Sequence, residues 1–103
     1  MSLQTRCLNM TLPTFDDFKR NALASGFDDV LERCWTPDAV LETHSHPFGV
    51  DALVVQGDMW LTVDGISRHL EPGHTFTLSC EQAHAERYGP AGATYWVARR
   101  NPN

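Results

Sequence analysis

The sequence has too few basic residues for a nucleic-acid-binding protein and no apolar run long enough to cross a membrane. Eight lysines and arginines against thirteen acidic residues leave a net charge of −5, whereas a protein that binds nucleic acid presents a basic patch. No segment approaches the ~18–20 apolar residues of a membrane span, and the first nine residues lack the apolar core of a secretion signal. We therefore expect neither nucleic acid nor a membrane as a partner.

Cysteine is scarce and shows no pattern. The three cysteines are odd in number, widely spaced and without a CxxC pair: Cys7, Cys34 and Cys80. Their arrangement argues against a disulfide framework and against a structural zinc ribbon, and it favours a reducing compartment. The expected location is the cytoplasm.

The length sets an upper limit on domain organisation. A chain of 103 residues with 42% hydrophobic and 20% charged residues has the composition of a globular protein and room for one hydrophobic core. We expect a single domain over residues 1–103.

Helical periodicity is confined to one short segment near the start, at about residues 14–25. Thr14 followed by Asp17 resembles a capping box, in which the threonine hydroxyl accepts from a backbone N–H of the first turn. Phe15 and Phe18 lie on one face at helical spacing. The pattern predicts a helix that packs on the outside of the domain through these two rings.

After the helix the apolar pattern changes to period two and turn residues become frequent. Strands are predicted at residues 29–35, 39–46, 51–56, 58–63, 66–70, 74–78, 83–88 and 94–99. Asp64-Gly65 is typical of a two-residue hairpin turn, and Gly89-Pro90-Ala91-Gly92 is interpreted as another turn. Many short strands with regular turns favour an antiparallel sandwich or barrel over about residues 27–100.

Three histidines have the spacing of metal ligands. His44 and His46 alternate along a predicted strand, so both point to one face, about 6.6–6.8 Å apart along the backbone. Imidazole nitrogens can converge from there on one ion, at about 2.0–2.1 Å each for zinc. His84, on a distant strand, would complete a three-nitrogen site with open positions for water or substrate.

The surrounding residues resemble the two motifs of the cupin family, small jelly-roll barrels that commonly hold a metal. The first motif, G-x5-H-x-H-x3–4-E-x6-G, corresponds to Asp38, His44-Ser45-His46 and Gly57. The second motif, G-x5-P-x-G-x2-H-x3-N, corresponds to Gly73, Ser79, Glu81, His84 and Tyr88. The resemblance covers about residues 37–88, and the spacing match across both motifs is specific where either motif alone is weak.

The resemblance implies an all-β fold, the cupin double-stranded β-helix or jelly-roll barrel, with one short N-terminal helix. It also implies one divalent transition metal, whether zinc, iron, nickel, manganese or copper, held by His44, His46 and His84. Four positions depart from the motifs: Asp38 and Glu81 replace glycines, Ser79 a proline and Tyr88 an asparagine. These positions lie mostly in turns, so the expected fold is unaffected.

The glutamate ligand of the first motif has no clear counterpart. Counting back from Gly57 places Val50 there, whereas counting forward from His46 by four intervening residues places Asp51 there. Neighbouring residues of a regular strand face opposite sides, so only one count holds. A bulge near Gly49 would turn Asp51 inward as a fourth ligand.

Two further residues share the strand parity of His84. Glu86 is a candidate general acid or base at the rim of the site, provided that the cavity raises its pKa. The alternative for Glu86 is an ion pair of purely structural use. The Tyr88 hydroxyl is a candidate for orienting a polar ligand.

Two classes of function follow. Neutral imidazoles leave the charge of a divalent ion uncompensated, so the site attracts small polar or anionic molecules. The resemblance to cupins implies that its chemistry is of the dioxygenase, isomerase or lyase type. Alternatively, the chain is a non-catalytic ligand-binding protein that resembles the effector-binding domains of AraC-type regulators. The sequence does not decide whether it is an enzyme. We expect a homodimer, because open barrels expose strand edges that pairing covers.

Overall fold

The computed structural model describes residues 12–102, and its helix lies close to the predicted 14–25. Helix α1 spans Phe15–Ala24, with Thr14 as its N-cap. The Thr14 Oγ1 accepts a hydrogen bond from the backbone N–H of Asp17 at 3.1 Å. The expected capping interaction is therefore present, and the helix begins where the sequence predicts.

Helix α1 packs on the outside of the sheet. None of its residues is buried, which is typical of a short helix that covers a surface. The rings of Phe15 and Phe18 contact Trp96, with ring centroids at 5.5 and 5.9 Å. These two phenylalanines are the packing anchors that the sequence predicts.

Six antiparallel strands form the rest of the described chain. They are β1 (Asp29–Trp35), β2 (Val40–His44), β3 (Gly49–Val63), β4 (Ile66–Leu70), β5 (Thr75–Leu78) and β6 (His84–Arg100). The strand order is β1-β6-β3-β4, while β2 also pairs with β6 and β5 also pairs with β3. The predicted all-β jelly-roll fold with one short helix is confirmed.

Two predicted pairs of strands are each one long strand. Residues 51–56 and 58–63 both belong to β3, and the predicted strands 83–88 and 94–99 both fall in β6, which begins at His84. The predicted turn at residues 89–92 is wrong. Gly57 pairs with Ala93 and Met59 with Tyr88, so residues 89–92 form a large bulge opposite Asp58. A bulge accommodates Pro90 without reversing the chain.

The two long strands touch most closely at Gly57 and Gly92. Gly57 has a φ of 71°, and a Cβ placed on it would lie 2.1 Å from the Gly92 carbonyl oxygen. Gly92 has a φ of 72°, and a Cβ there would lie 2.2 Å from the Trp35 carbonyl oxygen in β1. Only glycine combines this backbone conformation with so close an approach of two main chains.

The irregular pairing at this point changes which face each side chain takes. Two steps of β3, from Val54 to Gln56, span the single step from Tyr95 to Thr94. Before this bulge the residues of β3 in the core cluster are even-numbered, and after it they are odd-numbered: Val50, Ala52 and Val54, then Met59 and Leu61. In β6 the buried parity likewise changes across residues 89–92, from His84, Glu86 and Tyr88 to Ala93, Tyr95 and Val97.

Four other backbone positions with positive φ bear on the sequence comparison. Asp64 and Gly65 have φ of 53° and 76°, which is the geometry of the predicted hairpin between β3 and β4. Asp38 and Glu81 have φ of 59° and 61°. Both stand where the cupin motifs carry glycine, so the left-handed conformation is kept although the residue that adopts it most easily is absent.

The structure also bears on the expectations about a membrane and about the cysteines. Over residues 12–102 no helix is both long and apolar enough to cross a membrane. Cys34 and Cys80 are exposed free thiols, whereas Cys7 lies outside the described residues.

The Gly57 contact generates a stability prediction. We expect Gly57→Ala to lower the free energy of unfolding by about 3 kcal/mol, because left-handed strain of about 1–2 kcal/mol adds to an overlap of main chains. Gly65→Ala is the matched control: its φ is 76° but no atom lies within 4 Å of the added Cβ, so it should cost only about 1 kcal/mol. Urea unfolding measures both, and equal losses would contradict the close approach.

Candidate metal centre

Strand pairing brings His44 and His84 directly opposite each other. The register of β2 against β6 shifts between Leu41, which pairs with Glu86, and His44, which pairs with His84. The strand ends there, so the predicted strand 39–46 is two residues too long at this end. His46 follows in the connection to β3, where its carbonyl oxygen accepts from the Glu81 backbone N–H at 2.6 Å.

The three imidazole rings lie around one point. Ring centroids are 4.3 Å apart for His44 and His84, 4.9 Å for His46 and His84, and 5.1 Å for His44 and His46. One nitrogen of each ring lies within 4.8 Å of a nitrogen of the other two. The structure thus brings together the three residues that the sequence proposes as ligands.

Backbone carbonyls orient two of these rings. His44 Nδ1 lies 2.7 Å from the Glu42 carbonyl oxygen, and His84 Nδ1 lies 2.9 Å from the Gln82 carbonyl oxygen. A carbonyl oxygen only accepts, so each Nδ1 carries the proton and donates it. In the neutral ring Nε2 is then left with a free lone pair, which is the arrangement found in histidines that bind metals.

The Nε2 atom of His84 has no hydrogen-bond partner. The residue is 2% exposed, and this nitrogen is the buried side-chain polar atom without a partner among the described residues. An unsatisfied buried polar atom costs about 1–3 kcal/mol. A metal ion bound between the three rings would satisfy it, so the residues present fit such an ion.

The ring of His46 is held by stacking on Phe48, with centroids 4.9 Å apart and an angle of 5° between the planes. Burial, followed by the neighbouring charges of His84 and His44, lowers the pKa of His46, and Glu86 opposes this shift in part. His46 is therefore kept neutral to lower pH than a free histidine, which suits a metal ligand.

Asp51 is not brought to the histidines. The register of β3 is unbroken from Gly49 to Val54 against β6, so the bulge that would turn Asp51 inward is absent. Asp51 Oδ1 instead accepts from the Thr77 hydroxyl at 3.0 Å on the outer face. Val50 lines the cavity that holds the histidines. The residue at the glutamate position of the first motif is therefore Val50, as counting back from Gly57 indicates.

Glu86 takes part in the cluster more directly than a rim position implies. Its carboxylate is buried, and Oε2 lies 3.5 Å from His44 Nε2 and 3.4 Å from His84 Nε2. Its other oxygen, Oε1, accepts a hydrogen bond from the Tyr88 hydroxyl. Both residues are thus connected to the histidines, Glu86 by contact and Tyr88 through Glu86.

Tyr88 lies behind Glu86 and does not line the cavity. Its ring is 1% exposed and stacks on Trp35 with centroids 5.3 Å apart. Burial, with the neighbouring Tyr95 and Glu86, raises the pKa of Tyr88 far above its usual value. The hydroxyl therefore stays protonated and acts as a hydrogen-bond donor to Glu86.

The histidines open into a cavity of about 260 Å³. Its polar wall includes two residues that sequence reasoning missed, Tyr95 and Arg33. Tyr95 accepts a hydrogen bond from Trp35 Nε1 at 3.2 Å, and burial followed by the Glu86 charge raises its pKa. Regular alternation from His84 would point Tyr95 away from the cavity. The bulge at residues 89–92 of β6 reverses the facing of later side chains, so Tyr95 points inward.

The two remaining histidines, His69 and His74, lie outside the centre. His69 is on the outer face of the sheet, stacked on Trp60 at 4.3 Å and paired with Asp58 at 2.6 Å. His74 is exposed, and its Nδ1 accepts from the Glu71 backbone N–H at 2.9 Å. Neither belongs to the ligand cluster.

Comparison with known proteins gives matches to structures but none to sequences. No family model matches the chain, and no curated protein does. An RmlC-like cupin from Shewanella frigidimarina is 19% identical with a TM-score of 0.66, over 76% of this chain and 69% of that one. The Cupin_2 domain of an XRE-family transcriptional regulator from Enterobacter cloacae is 18% identical with a TM-score of 0.63, over 78% and 87%.

A third similar structure comes from the DMSP lyases RdDddP and RnDddQII. It is 23% identical with a TM-score of 0.66, over 71% of this chain and 38% of that one, so this chain spans well under half of its length. At such identities the likeness shows the fold. The chain has the cupin fold, the RmlC-like jelly roll, as its motifs indicate.

The geometry of the three rings generates a prediction about metal content. We expect the wild-type protein to hold one equivalent of a divalent transition metal and His44→Ala to hold none after dialysis, because two imidazoles remain where three converge. His84→Ala should behave alike. Elemental analysis of purified protein measures the content, and circular dichroism checks the fold.

The control for that prediction is His74→Ala, which removes an exposed histidine outside the cluster. It should keep the wild-type metal content. Retention of metal by both His44→Ala and His84→Ala would contradict the assigned ligands.

Proposed function

We propose that this protein binds one divalent transition metal through His44, His46 and His84 and, with it, a small anionic molecule inside the barrel. The observation that carries the proposal is the convergence of these rings on one point, with the buried His84 Nε2 unpartnered. A bound divalent ion supplies Lewis-acid chemistry, since it polarises a carbonyl and acidifies water.

The cavity walls support a small ligand with an apolar body. Leu31, Val50, Phe76 and Val97 line it together with the histidines. Its volume of about 260 Å³ lies just below the range of about 300–1,000 Å³ that is usual for sites of drug-sized ligands. A molecule of a few heavy atoms is therefore the expected occupant.

Arg33 supports an anionic occupant. Its guanidinium lies 4.9 Å from the centre of the Trp35 ring, and within residues 12–102 it forms no ion pair. The other arginine of the wall, Arg99, is already neutralised by Asp29 through two contacts of 2.9 and 2.7 Å. Arg33 thus offers its donors to a carboxylate or a similar group.

Metal-dependent catalysis is the first candidate function of such a site. The likeness to the DMSP lyase structures supports it, because a cupin fold there belongs to an enzyme. Turnover that depends on the metal, screened first as oxygen consumption and as elimination from small carboxylates, would establish it.

Ligand sensing without catalysis is the second candidate. The observation in its favour is the likeness to the Cupin_2 domain of a transcriptional regulator, 87% of which this chain covers. Saturable binding of a small anion without any conversion of it would favour this candidate over an enzyme.

Malonate, a small dicarboxylate, is a suitable probe of the proposed pocket. We expect zinc-loaded protein to bind it more tightly than metal-free protein, and Arg33→Gln to weaken binding to the zinc-loaded form by about tenfold, since a hydrogen bond to a charged group contributes about 1.5–3 kcal/mol. Isothermal titration calorimetry measures both effects.

The matched control is Arg20→Gln, because Arg20 lies on the exposed helix and pairs with Asp17 at 2.9 Å. Its effect on malonate affinity should be within error. Equal malonate affinity with and without zinc would overturn the metal-assisted mode of binding.

We also propose that a second copy of the chain covers an open sheet edge. Strands β2 and β4 each pair on one side only within the described chain, and their exposed large apolar side chains are Val40 and Ile66, at 64% and 70% exposure. Such edges are commonly covered by association. Analytical ultracentrifugation should give twice the 11.6 kDa of one chain, whereas a monomer at micromolar concentration would contradict the dimer.

A further inference from the structure

A carboxylate stands beside the three imidazoles, but it is not the one that the first cupin motif predicts. In that motif the glutamate follows the histidine pair, and here the two matching positions are Val50 and Asp51. Val50 has no ligand atom, and Asp51 bonds to Thr77 on the outer face. Neither of these two positions therefore supplies a carboxylate to the cavity.

Glu86 comes to the same place from the opposite strand. It lies two residues after His84 in β6, so both side chains point to the same face. Both are buried, at 6% and 2% exposure. Glu86 also pairs with Leu41 of β2 across the sheet, next to the bulge that sets His44 opposite His84.

The distances from Glu86 Oε2 are those between two ligands of one ion. Oε2 lies 3.5 Å from His44 Nε2 and 3.4 Å from His84 Nε2. Two atoms bound at about 2.0–2.1 Å to a tetrahedral ion lie about 3.3–3.4 Å apart. The His84 Nε2 has no hydrogen-bond partner, so its contact with the carboxylate is not a hydrogen bond.

With neutral imidazoles and an ionised carboxylate, these atoms present only acceptors to one another. Both Nδ1 atoms donate to backbone carbonyls, so both Nε2 atoms present lone pairs toward Glu86, and an ionised carboxylate only accepts. No lysine or arginine of residues 12–102 forms an ion pair with Glu86. A buried carboxylate with neither a donor nor a cation at this oxygen is costly. A metal ion removes the conflict.

The other oxygen of Glu86 is held in place from behind. The Tyr88 hydroxyl donates to Oε1, and the Tyr88 ring is fixed by stacking on Trp35 at 5.3 Å. Hydrogen bonds of this kind orient the carboxylate ligands of metal sites. Tyr88 is thus a positioning residue, and Oε2 is the oxygen directed at the histidines.

We propose that Glu86 is the fourth protein ligand of the metal, supplied by the strand of the second motif instead of the first. This inference rests on the proposed binding of a metal by the three histidines. With Glu86 ionised, a divalent ion in the site keeps a net charge of one instead of two. One anionic group of a ligand bound to the ion would then neutralise this remaining charge.

Zinc and cobalt binding to the whole chain test the assignment. We expect Glu86→Gln, which keeps the shape of the side chain and its bond to Tyr88, to weaken zinc affinity by about tenfold or more in competition with a chromophoric chelator. The visible spectrum of the cobalt-loaded variant should differ from that of the wild type. The matched control is Asp51→Asn, which should leave both the affinity and the spectrum unchanged.

Zinc affinity and cobalt spectrum that are the same for Glu86→Gln as for the wild type would overturn the role of Glu86 while leaving the three-histidine site in place. A loss on Asp51→Asn instead would return the ligand to the first motif. Failure of the wild-type protein to bind either metal would overturn the site as a whole, so the two failures are distinguishable.

A measurement on the wild-type protein covers the case in which Glu86→Gln does not fold. Infrared difference spectra on addition of one equivalent of zinc should show a shift of a carboxylate stretch that moves on labelling with carbon-13 glutamate and not on labelling with carbon-13 aspartate. A shift confined to aspartate, or no carboxylate shift at all, would overturn the assignment.

Discussion

The close approach of main chains at Gly57 and Gly92 is the constraint on which the barrel depends. A Cβ at Gly57 would lie 2.1 Å from the Gly92 carbonyl oxygen, and a Cβ at Gly92 would lie 2.2 Å from that of Trp35. Strands β1, β6 and β3 are therefore in near contact at one level. At the same level the pairing of β3 with β6 becomes irregular, so each long strand contributes two inward-facing series of side chains.

This change in which face the side chains take determines which residues line the cavity. His84 and Glu86 come from the first half of β6, whereas Tyr95 and Val97 come from the second half, and all four line one space. A strand of uniform alternation would send the second pair outward. The bulge thus brings the histidines and Glu86 into one cavity with Tyr95 and several apolar side chains, and a few polar groups among apolar ones are the usual composition of a small-molecule site.

Within the cavity, hydrogen-bond acceptors outnumber donors, because backbone carbonyls and Tyr88 already engage the other polar atoms of the cluster. The carbonyl oxygens of Glu42 and Gln82 accept hydrogen bonds from Nδ1 of His44 and His84, and the Tyr88 hydroxyl donates to one oxygen of Glu86. What remains directed at the centre is a set of acceptors. Protein interiors rarely leave such groups unsatisfied, and a metal ion is the simplest partner that satisfies all of them at once.

The residue pattern alone predicted the helix with its Thr14 cap, the Asp64-Gly65 hairpin, an antiparallel sandwich or barrel and the three clustered histidines, and the resemblance to cupins implied the jelly roll. These features depend on local spacing and on turn residues, which can be read along the chain. Sequence spacing could not decide between Val50 and Asp51, nor could it show that residues 89–92 are a bulge instead of a turn. Both questions depend on the register between strands that are distant in sequence.

The amino-acid sequence by itself identified the side chains that cluster in the cavity, because His44, His46, His84 and Glu86 are recognisable by type and by their spacing of two residues. Only the tertiary structure decided which carboxylate meets the imidazoles and which further side chains line the cavity. The physical reason is that one extra residue in a strand moves every later side chain to the other face, and such a bulge is settled by cross-strand pairing and by the approach of glycine backbones.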